Sequence, residues 1–186
     1  MKKVIIIEGP DNVGKDLLIS KLKTHFSNPV ELHACVPDNP DLFTFYRDGL
    51  IHSTLDKYYN GSFDCIIHNR SMYGEYVYGP KYRNEPICKI AKIISNLEAG
   101  QLRTFILEHE LYFILLTSSS TKLLVDNDDG KSLSNKESDI EYELKAFDEV
   151  FNLSSIHNKK RILVNNEDSF RDADSIYNDV INFINN

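Results

Sequence analysis

At 186 residues the chain has the length of one domain with a full hydrophobic core, and we expect a single domain over residues 1–186. Its 41% hydrophobic and 26% charged residues are ordinary for a globular protein and exclude wholesale disorder and a fibrous structure. A formal net charge of -7 argues against a nucleic-acid coat protein, since binding along a phosphate backbone normally needs a basic stripe.

The first predicted element is a strand over residues 4–7, a β-branched run that Glu8 and Gly9 end. This apolar run of about four residues is too short for a signal peptide, and no stretch approaches the roughly 20 apolar residues of a membrane span. We therefore expect a cytoplasmic protein without a membrane partner. The three cysteines, Cys35, Cys65 and Cys88, form no C-x-x-C and are predicted to be free thiols in core positions.

A helix is predicted directly after this strand, over residues 14–26, because Leu18, Leu22 and Phe26 recur at helical spacing. The same alternation continues along the chain. It predicts an α/β fold of three layers, with a five-stranded parallel sheet, helices on both faces and right-handed crossovers. Further strands are predicted at 30–35, 63–68, 111–117 and 161–164, and further helices at 42–59, 73–78, 87–97, 140–151 and 170–184.

The segment 118–139, after the fourth predicted strand, is polar and long for a connection in a compact domain. Two interpretations stay open. It is a solvated surface loop, or it is a mobile lid over a nucleotide.

Residues 9–16 match the phosphate-loop pattern G-x-x-x-x-G-K, between the strand and the helix that this motif requires. Gly9 and Gly14 allow the backbone to turn successive N–H groups toward one anion, and the helix N-terminus adds about half a unit of positive charge. We expect Lys15 to reach the outer phosphates. The residues predicted to bind the nucleotide are Gly9, Pro10, Asp11, Asn12, Val13, Gly14, Lys15, Asp16 and Leu17.

Asp16 departs from this pattern, which places Ser or Thr there as a Mg²⁺ ligand. A carboxylate near the phosphates would repel them by roughly 4 kcal/mol at about 4 Å and an effective dielectric constant of about 20. Three interpretations stay open: Asp16 binds the metal ion directly, it turns away and water takes its place, or nucleotide binding has decayed.

A second motif begins with Asn69 and Arg70, after the third predicted strand. Ligands of open α/β sheets bind beyond the carboxyl ends of the strands, so Arg70 is expected beside the phosphate loop. Its planar guanidinium suits a second phosphate. The alternative is a surface arginine that pairs with Glu75 or Glu85.

With these motifs in order, the chain resembles the thymidylate kinase family, more narrowly its small phage-type deoxynucleoside monophosphate kinases. The resemblance spans most of the chain, although the C-terminal third matches in layout only. It rests on residues 8–15, Asn69, Arg70, 74–80, Tyr82, Arg83 and the polar segment after the fourth strand.

This resemblance implies ATP- and Mg²⁺-dependent phosphoryl transfer to a deoxynucleoside monophosphate. Lys15 and the loop amides would bind ATP, Asp11 would approach the 3'-hydroxyl of the acceptor sugar, and Arg70 would hold the acceptor phosphate. Arg47 matches a family residue near the acceptor base and phosphate. The acceptor site would also include Glu8, Phe45, Glu75 and Tyr78, with Phe43 beside them, although aromatic residues at such spacing are also typical of a core.

Three departures from the family are visible in the sequence. Asn69 stands where family members commonly have Asp, the loop Ser or Thr is absent, and residues 118–139 contain lysines but no arginine. The arginine that stabilises charge on the transferring phosphoryl group is therefore sought elsewhere, with Arg83 and Arg103 as candidates.

Two further functions stay open: a kinase of a nucleoside or modified-base hydroxyl, and a nucleotide-binding regulatory protein with a degenerate site. The family resemblance also implies a homodimer. The composition, rich in Lys, Asn and Ile, suits an AT-rich genome such as that of a phage, which would place the protein in the host cytoplasm.

Overall fold

A parallel five-stranded sheet forms the centre of the molecule, in a computed structural model that describes residues 2–34, 41–107, 111–128, 130, 132–167 and 169–185. The strand order is β2-β3-β1-β4-β5. The strands are β1 (Lys3–Glu8), β2 (Pro29–His33), β3 (Cys65–Asn69), β4 (Leu111–Thr117) and β5 (Asn158–Leu163).

Helices connect these strands, and one of the connections is irregular. Between β2 and β3 the chain forms a short α-helix, a π-helical segment and a further α-helix, where one continuous helix was predicted. The helices are α1 (Lys15–His25), α2 (Leu42–Thr44), the π-helical segment Phe45–His52, α3 (Ser53–Asn60), α4 (Met72–Tyr82), α5 (Ile87–Ala99), α6 (Arg103–Leu107), α7 (Thr121–Asp126), α8 (Glu137–Leu153) and α9 (Ala173–Asn185).

Alternate residues of β1 enter two separate cores, one on each face of the sheet. Val4 and Ile6 pack in the core that includes α4, α5 and most of α8, whereas Ile5 and Ile7 pack in the core that includes α1 and α9. Full burial of each such side chain contributes roughly 1.5–3 kcal/mol. The predicted three-layer α/β fold is confirmed.

The order of the strands places the two sequence motifs side by side. In the pairing of β1 with β3, Ile7 lies opposite Asn69, so the carboxyl ends of these strands meet at one edge of the sheet. β3 and β4 flank β1 on opposite sides, so the order in which strands are added to the sheet reverses at β1. Open α/β sheets bind ligands at the carboxyl ends of the strands beside such a reversal.

The polar segment 118–139 contains more regular structure than predicted. It includes α7 and the first residues of α8. Ser120 caps α7 by accepting a hydrogen bond from the backbone N–H of Leu123. Phe170 lies in a short hairpin, β6 (Asn165–Asn166) with β7 (Ser169–Phe170), rather than in the last helix.

The cysteines are divided in their environments. Cys65 is buried in β3 as predicted, but Cys88 is exposed, so its predicted core position was wrong. It lies in the first turn of α5, whose buried stripe consists of other positions. Cys35 lies outside the described residues. Among the helices that the structure describes, none combines the length and the apolar character that a bilayer crossing requires.

Candidate functional site

The phosphate loop runs from the end of β1 to the start of α1 and requires glycine at both ends. Gly9 has φ +148°, and a Cβ there would lie 2.4 Å from the carbonyl oxygen of Leu116. Gly14 has φ +82° and caps α1 without a side-chain hydrogen bond. The first-turn N–H groups of α1 are therefore left available for an anion.

Lys15 is buried inside this loop. Its ammonium group donates hydrogen bonds to the carbonyl oxygens of Gly9, at 2.8 Å, and Pro10, at 2.6 Å. Burial, reinforced by the positive charge of Arg70, lowers the pKa of Lys15 to about 8. A polyphosphate bound in the loop would oppose this effect, because an opposite charge nearby favours the ammonium form.

Arg70 faces the loop from the end of β3. Its backbone has φ +66°, an uncommon conformation for a residue with a side chain and one that is often found at functional sites. The Nη2 atom lies 2.7 Å from Oδ1 of Asp11, and the guanidinium lies 5.9 Å from the ring centre of Tyr78. Since Nζ of Lys15 is 3.9 Å from the same carboxylate, Asp11 stands between two cations.

Asp16, Asn69 and Glu31 form a cluster beside the loop. The Nδ2 group of Asn69 donates to Oδ1 of Asp16 and to Oε1 of Glu31, both at 3.0 Å. Asn69 is 4% exposed. Its Oδ1 atom is buried and has no hydrogen-bond partner among the described residues.

A cleft of about 430 Å³ opens in front of these groups. Its described lining consists of Asp11, Asn12, Gly14, Lys15, Asp16, Leu17, His33, Arg70, Asn127 and Ser132. Seven of these residues belong to the predicted nucleotide and acceptor sites. Sequence reasoning missed His33, Asn127 and Ser132, although His33 ends a strand at the ligand-binding edge and was detectable on that ground.

A second, largely apolar pocket of about 240 Å³ lies on the other side of the loop. Leu17 and Asn12 line both pockets, so the two are adjacent. The apolar side chains around it come from the loop, from α1, from the chain after β5 up to and including β7, and from α9: Val13, Leu17, Leu18, Val164, Phe170 and Ile176.

Glu8 lies beneath the loop rather than in the cleft. Its Oε1 atom accepts hydrogen bonds from the Ser71 hydroxyl, at 2.7 Å, and from the backbone N–H of Gly74, at 3.2 Å. Burial raises the pKa of Glu8 to about 7. A Cβ on Gly74 would lie 3.3 Å from Oε2 of Glu8, which explains a glycine at this helical position.

Glu75 and Tyr78, the predicted acceptor-site residues of α4, make hydrogen bonds to different partners. Arg83 makes two hydrogen bonds to Glu75, at 2.6 and 3.1 Å, and the Tyr46 hydroxyl donates to the same carboxylate. Arg83 is not among the cleft-lining residues that the structure describes. Tyr78 is buried, and its hydroxyl donates to Glu143 at 3.4 Å.

The described contacts of Arg47 and Phe45, two residues of the π-helical segment, are with neighbouring residues and not with the phosphate loop. Arg47 pairs with Asp48, its neighbour in the chain, at 2.6 Å, and its guanidinium lies 5.3 Å from the ring centre of Phe43. Phe45 makes an edge contact with Tyr46.

Arg103 lies toward the amino ends of the strands, away from the phosphate loop. It begins α6, a helix that leads directly to the amino end of β4, whereas the phosphate loop lies at the carboxyl ends of the strands. Its proposed role as the stabilising arginine therefore does not fit this fold.

The segment 118–139 packs directly on the phosphate loop. The Ser132 hydroxyl donates to Oδ1 of Asn12 at 3.2 Å, and the Asn12 amide donates to the carbonyl oxygen of Leu124 at 3.3 Å. Ser134 is fully buried and donates to the carboxylate of Glu143, a residue of α8. Lys122 is exposed on α7, and Lys131 lies outside the described residues.

Among the described residues, no group of three or more His, Cys, Asp and Glu side chains could hold a metal ion. A Mg²⁺ ion takes hard oxygen ligands and usually relies on one or two protein groups together with substrate phosphates. The carboxylate of Asp16 and the unpartnered oxygen of Asn69 fit this requirement, because both are hard oxygens beside the loop.

No family model matches the chain, and no curated protein does either. Solved structures match along nearly the whole chain. YorR of Bacillus subtilis, in complex with phosphorylated GDP, is 17% identical over 98% of this chain and 96% of that one, with a TM-score of 0.66. Thymidylate kinase from Candida albicans is 14% identical over 99% and 91%, with a TM-score of 0.64. Deoxyadenosine kinase from M. mycoides, with bound dATP, is 18% identical over the full length of both chains, with a TM-score of 0.55.

The fold is that of a P-loop kinase. At these identities the likeness shows the fold, and the activity, the acceptor and the phage-type subfamily remain predictions. The implied homodimer likewise stays a prediction.

Proposed function

We propose that this protein transfers a phosphoryl group from ATP to a deoxynucleoside monophosphate. The observation that carries the proposal is that the phosphate loop with Lys15, and Arg70 from a different strand, face one cleft of about 430 Å³. Phosphoryl transfer requires two substrates held in line with cations around the migrating group, and little covalent chemistry from the protein.

ATP fits the loop side of the cleft. The uncapped N-terminus of α1 and the Lys15 ammonium offer donors to its phosphates. The adjacent apolar pocket of about 240 Å³ suits a flat, weakly polar adenine. The polyphosphate would thus cross Gly14 and Leu17, which line both pockets.

The acceptor fits the Arg70 side. A guanidinium is suited to bidentate contact with a phosphate, and Arg70 retains exposure in the cleft, with 35% of its side chain accessible. Its contact with Asp11 fixes the guanidinium before the acceptor arrives. We propose that the same carboxylate accepts a hydrogen bond from a sugar hydroxyl, as the family resemblance implies.

Mg²⁺, when bound, would supply positive charge that neutralises the phosphate oxygens during transfer. Asp16 and Asn69 are the residues of this chain that would hold it. Asp16 would then face the phosphates across a bound cation, which would offset the repulsion between this carboxylate and the phosphates.

The proposal is tested by product formation. Purified protein is mixed with γ-labelled ATP, Mg²⁺ and each deoxynucleoside monophosphate in turn, and the labelled diphosphate is separated and counted. We expect one or more diphosphates above the rate of acceptor-free ATP hydrolysis. If no monophosphate yields a diphosphate, the proposal is wrong.

A second candidate is a kinase of a nucleoside hydroxyl. The specific observation is that Asp11 already neutralises Arg70 at 2.7 Å, which lowers the affinity of this side of the cleft for a second anion. Adding deoxynucleosides to the same assay separates the candidates, because transfer to nucleosides but not to monophosphates supports the second. Tight binding of a nonhydrolysable ATP analogue without any transfer would instead indicate a regulatory protein.

A further inference from the structure

The chemistry beside the phosphate loop is reversed relative to the usual arrangement. P-loop proteins commonly hold Mg²⁺ with a neutral Ser or Thr hydroxyl on the loop and an acidic residue from a strand. Here the acidic residue, Asp16, lies on the loop side, in the first turn of α1, and the neutral one, Asn69, ends β3. The pair still carries one negative charge, but this charge lies on the loop side instead of at the end of the strand.

The contacts of Asn69 explain why the two changes belong together. Its amide donates to carboxylates on both sides, Asp16 and Glu31, at 3.0 Å each. The second oxygen of Glu31 is engaged by Lys23, also at 3.0 Å. A carboxylate at position 69 would have no proton to donate and would bring three negative charges into contact.

The remaining atom of Asn69 indicates a ligand. Its Oδ1 is buried without a hydrogen-bond partner among the described residues, and the residue is only 4% exposed. A buried polar atom of this kind is destabilising unless something satisfies it, and this one belongs to the same amide that fixes the Asp16 carboxylate.

We propose that Asp16 and Asn69 together form the cation site of this chain, with Glu31 holding the Asn69 amide in place, so that residues 16 and 69 are tolerated only as a matched pair. The inference rests on the proposed function for the phosphate ligand, whereas the pairing itself does not depend on any activity. Asn69 positions the Asp16 carboxylate through its amide N–H group, and its Oδ1 atom supplies an oxygen ligand to the cation. Exchanging both residues for the usual hydroxyl and acid should restore a working site.

Four proteins test the pairing: the wild type, Asp16→Thr, Asn69→Asp and the double variant. The first measurement is thermal unfolding without nucleotide or divalent cations. We expect Asn69→Asp to lower the Tm by roughly 5 °C or more, and the double variant to recover most of this loss. Equal losses in the single and double variants would overturn the inference.

The second measurement is Mn²⁺ binding, followed by electron paramagnetic resonance in the presence of a nonhydrolysable ATP analogue. We expect Asp16→Thr to weaken Mn²⁺ binding roughly tenfold or more, and the double variant to return to within about threefold of the wild type. Asp56→Thr, at an exposed carboxylate of α3, is the control and should leave the affinity unchanged. Additive losses from the two single changes would contradict the pairing.

Asp16→Asn keeps the test decisive if Asn69→Asp does not fold. This variant preserves the shape of the side chain, so it should unfold near the wild-type Tm and still lose Mn²⁺ affinity roughly tenfold or more. Undiminished Mn²⁺ binding by Asp16→Asn, or no binding by the wild type, would overturn the cation site. None of these measurements follows phosphoryl transfer, so failure of the proposed function gives a different pattern. The double variant would still recover its Tm and its Mn²⁺ affinity, but no labelled diphosphate would form.

Discussion

The guanidinium of Arg70 lies 2.7 Å from the carboxylate of Asp11, and this contact joins the end of β3 to the phosphate loop. The pair fixes the guanidinium at the side of the cleft that we propose for the acceptor, and the carboxylate matches its charge. It also makes Arg70 dependent on the loop, since a movement of the loop moves the carboxylate that holds it. The two sides of the cleft that we propose for the acceptor and for ATP are therefore organised together.

Replacing Arg70 by Ala should raise the KM for the acceptor by roughly 100-fold or more, because a charge-assisted bidentate contact is lost and Asp11 is left to repel the acceptor phosphate. The KM for ATP should change much less. Steady-state kinetics with each substrate varied separately measures both values. Arg161→Ala, which removes a surface arginine paired with Asp148 at 2.6 Å, is the matched control. An acceptor KM that changes equally in both variants would contradict this role of Arg70.

Glu8 should make the folded protein less stable as the pH rises from 4.5 toward 7. Its pKa is raised from 4.5 to about 7 in the fold by burial, so within this window the folded chain retains a proton that the unfolded chain has lost. Glu8→Gln should remove this contribution and flatten the dependence by roughly 1–3 kcal/mol. Urea unfolding at a series of pH values measures the effect. Glu141→Gln, at an exposed position of α8, should keep the wild-type slope, and an unchanged slope in Glu8→Gln would rule out this assignment.

The two loop glycines should differ in their tolerance of Ala. At Gly9 an added Cβ meets the carbonyl oxygen of Leu116 at 2.4 Å, whereas at Gly14 it meets nothing within 4 Å. Gly14→Ala should therefore lower the free energy of unfolding only by roughly 1 kcal/mol, from its positive φ, and Gly9→Ala by considerably more. Denaturant titrations of the two variants provide the comparison. A Gly14→Ala variant as unstable as Gly9→Ala would show that the loop differs from this description.

Glu143 should hold the segment 118–139 against α4. Its carboxylate accepts hydrogen bonds from Ser134, Tyr82 and Tyr78, so Glu143→Ala leaves three hydroxyl groups without this acceptor. We expect a loss of roughly 2–4 kcal/mol in the free energy of unfolding and, in the proposed reaction, more ATP hydrolysis per transfer as the segment opens.

The matched control for this change is Glu141→Ala, an exposed carboxylate on the same helix. Urea unfolding and the ratio of phosphate released to phosphoryl transferred are measured for both variants. If the two variants are equally stable, Glu143 does not anchor the segment.

The sequence predicted the sheet and the phosphate loop well, because both depend on local patterns. The buried run of β1 and the helical spacing of Leu18 and Leu22 in α1 are each readable within a few residues. The position of Arg70 beside the loop was also predictable, since residues that follow parallel strands meet at one edge of the sheet.

Features that depend on contacts between distant residues were not predictable. Arg70 pairs with Asp11 while Glu75 pairs with Arg83, and no local pattern indicates either pairing. Arg83, a candidate for the stabilising arginine, pairs with Glu75, and its motif did not indicate this contact. Likewise, Asp16 and Asn69 read as two separate defects in the sequence, and only their 3.0 Å contact relates them.

The central claim is that the loop at residues 9–15 binds a nucleotide polyphosphate, and calorimetry with a nonhydrolysable ATP analogue and Mg²⁺ tests it most directly. The account predicts saturable binding by the wild type at one site. It predicts that Lys15→Met weakens this binding by roughly 100-fold, because the ammonium group that we expect to contact the phosphates is removed. Absence of heat with the wild type, or equal affinity of the wild type and Lys15→Met, would contradict the account.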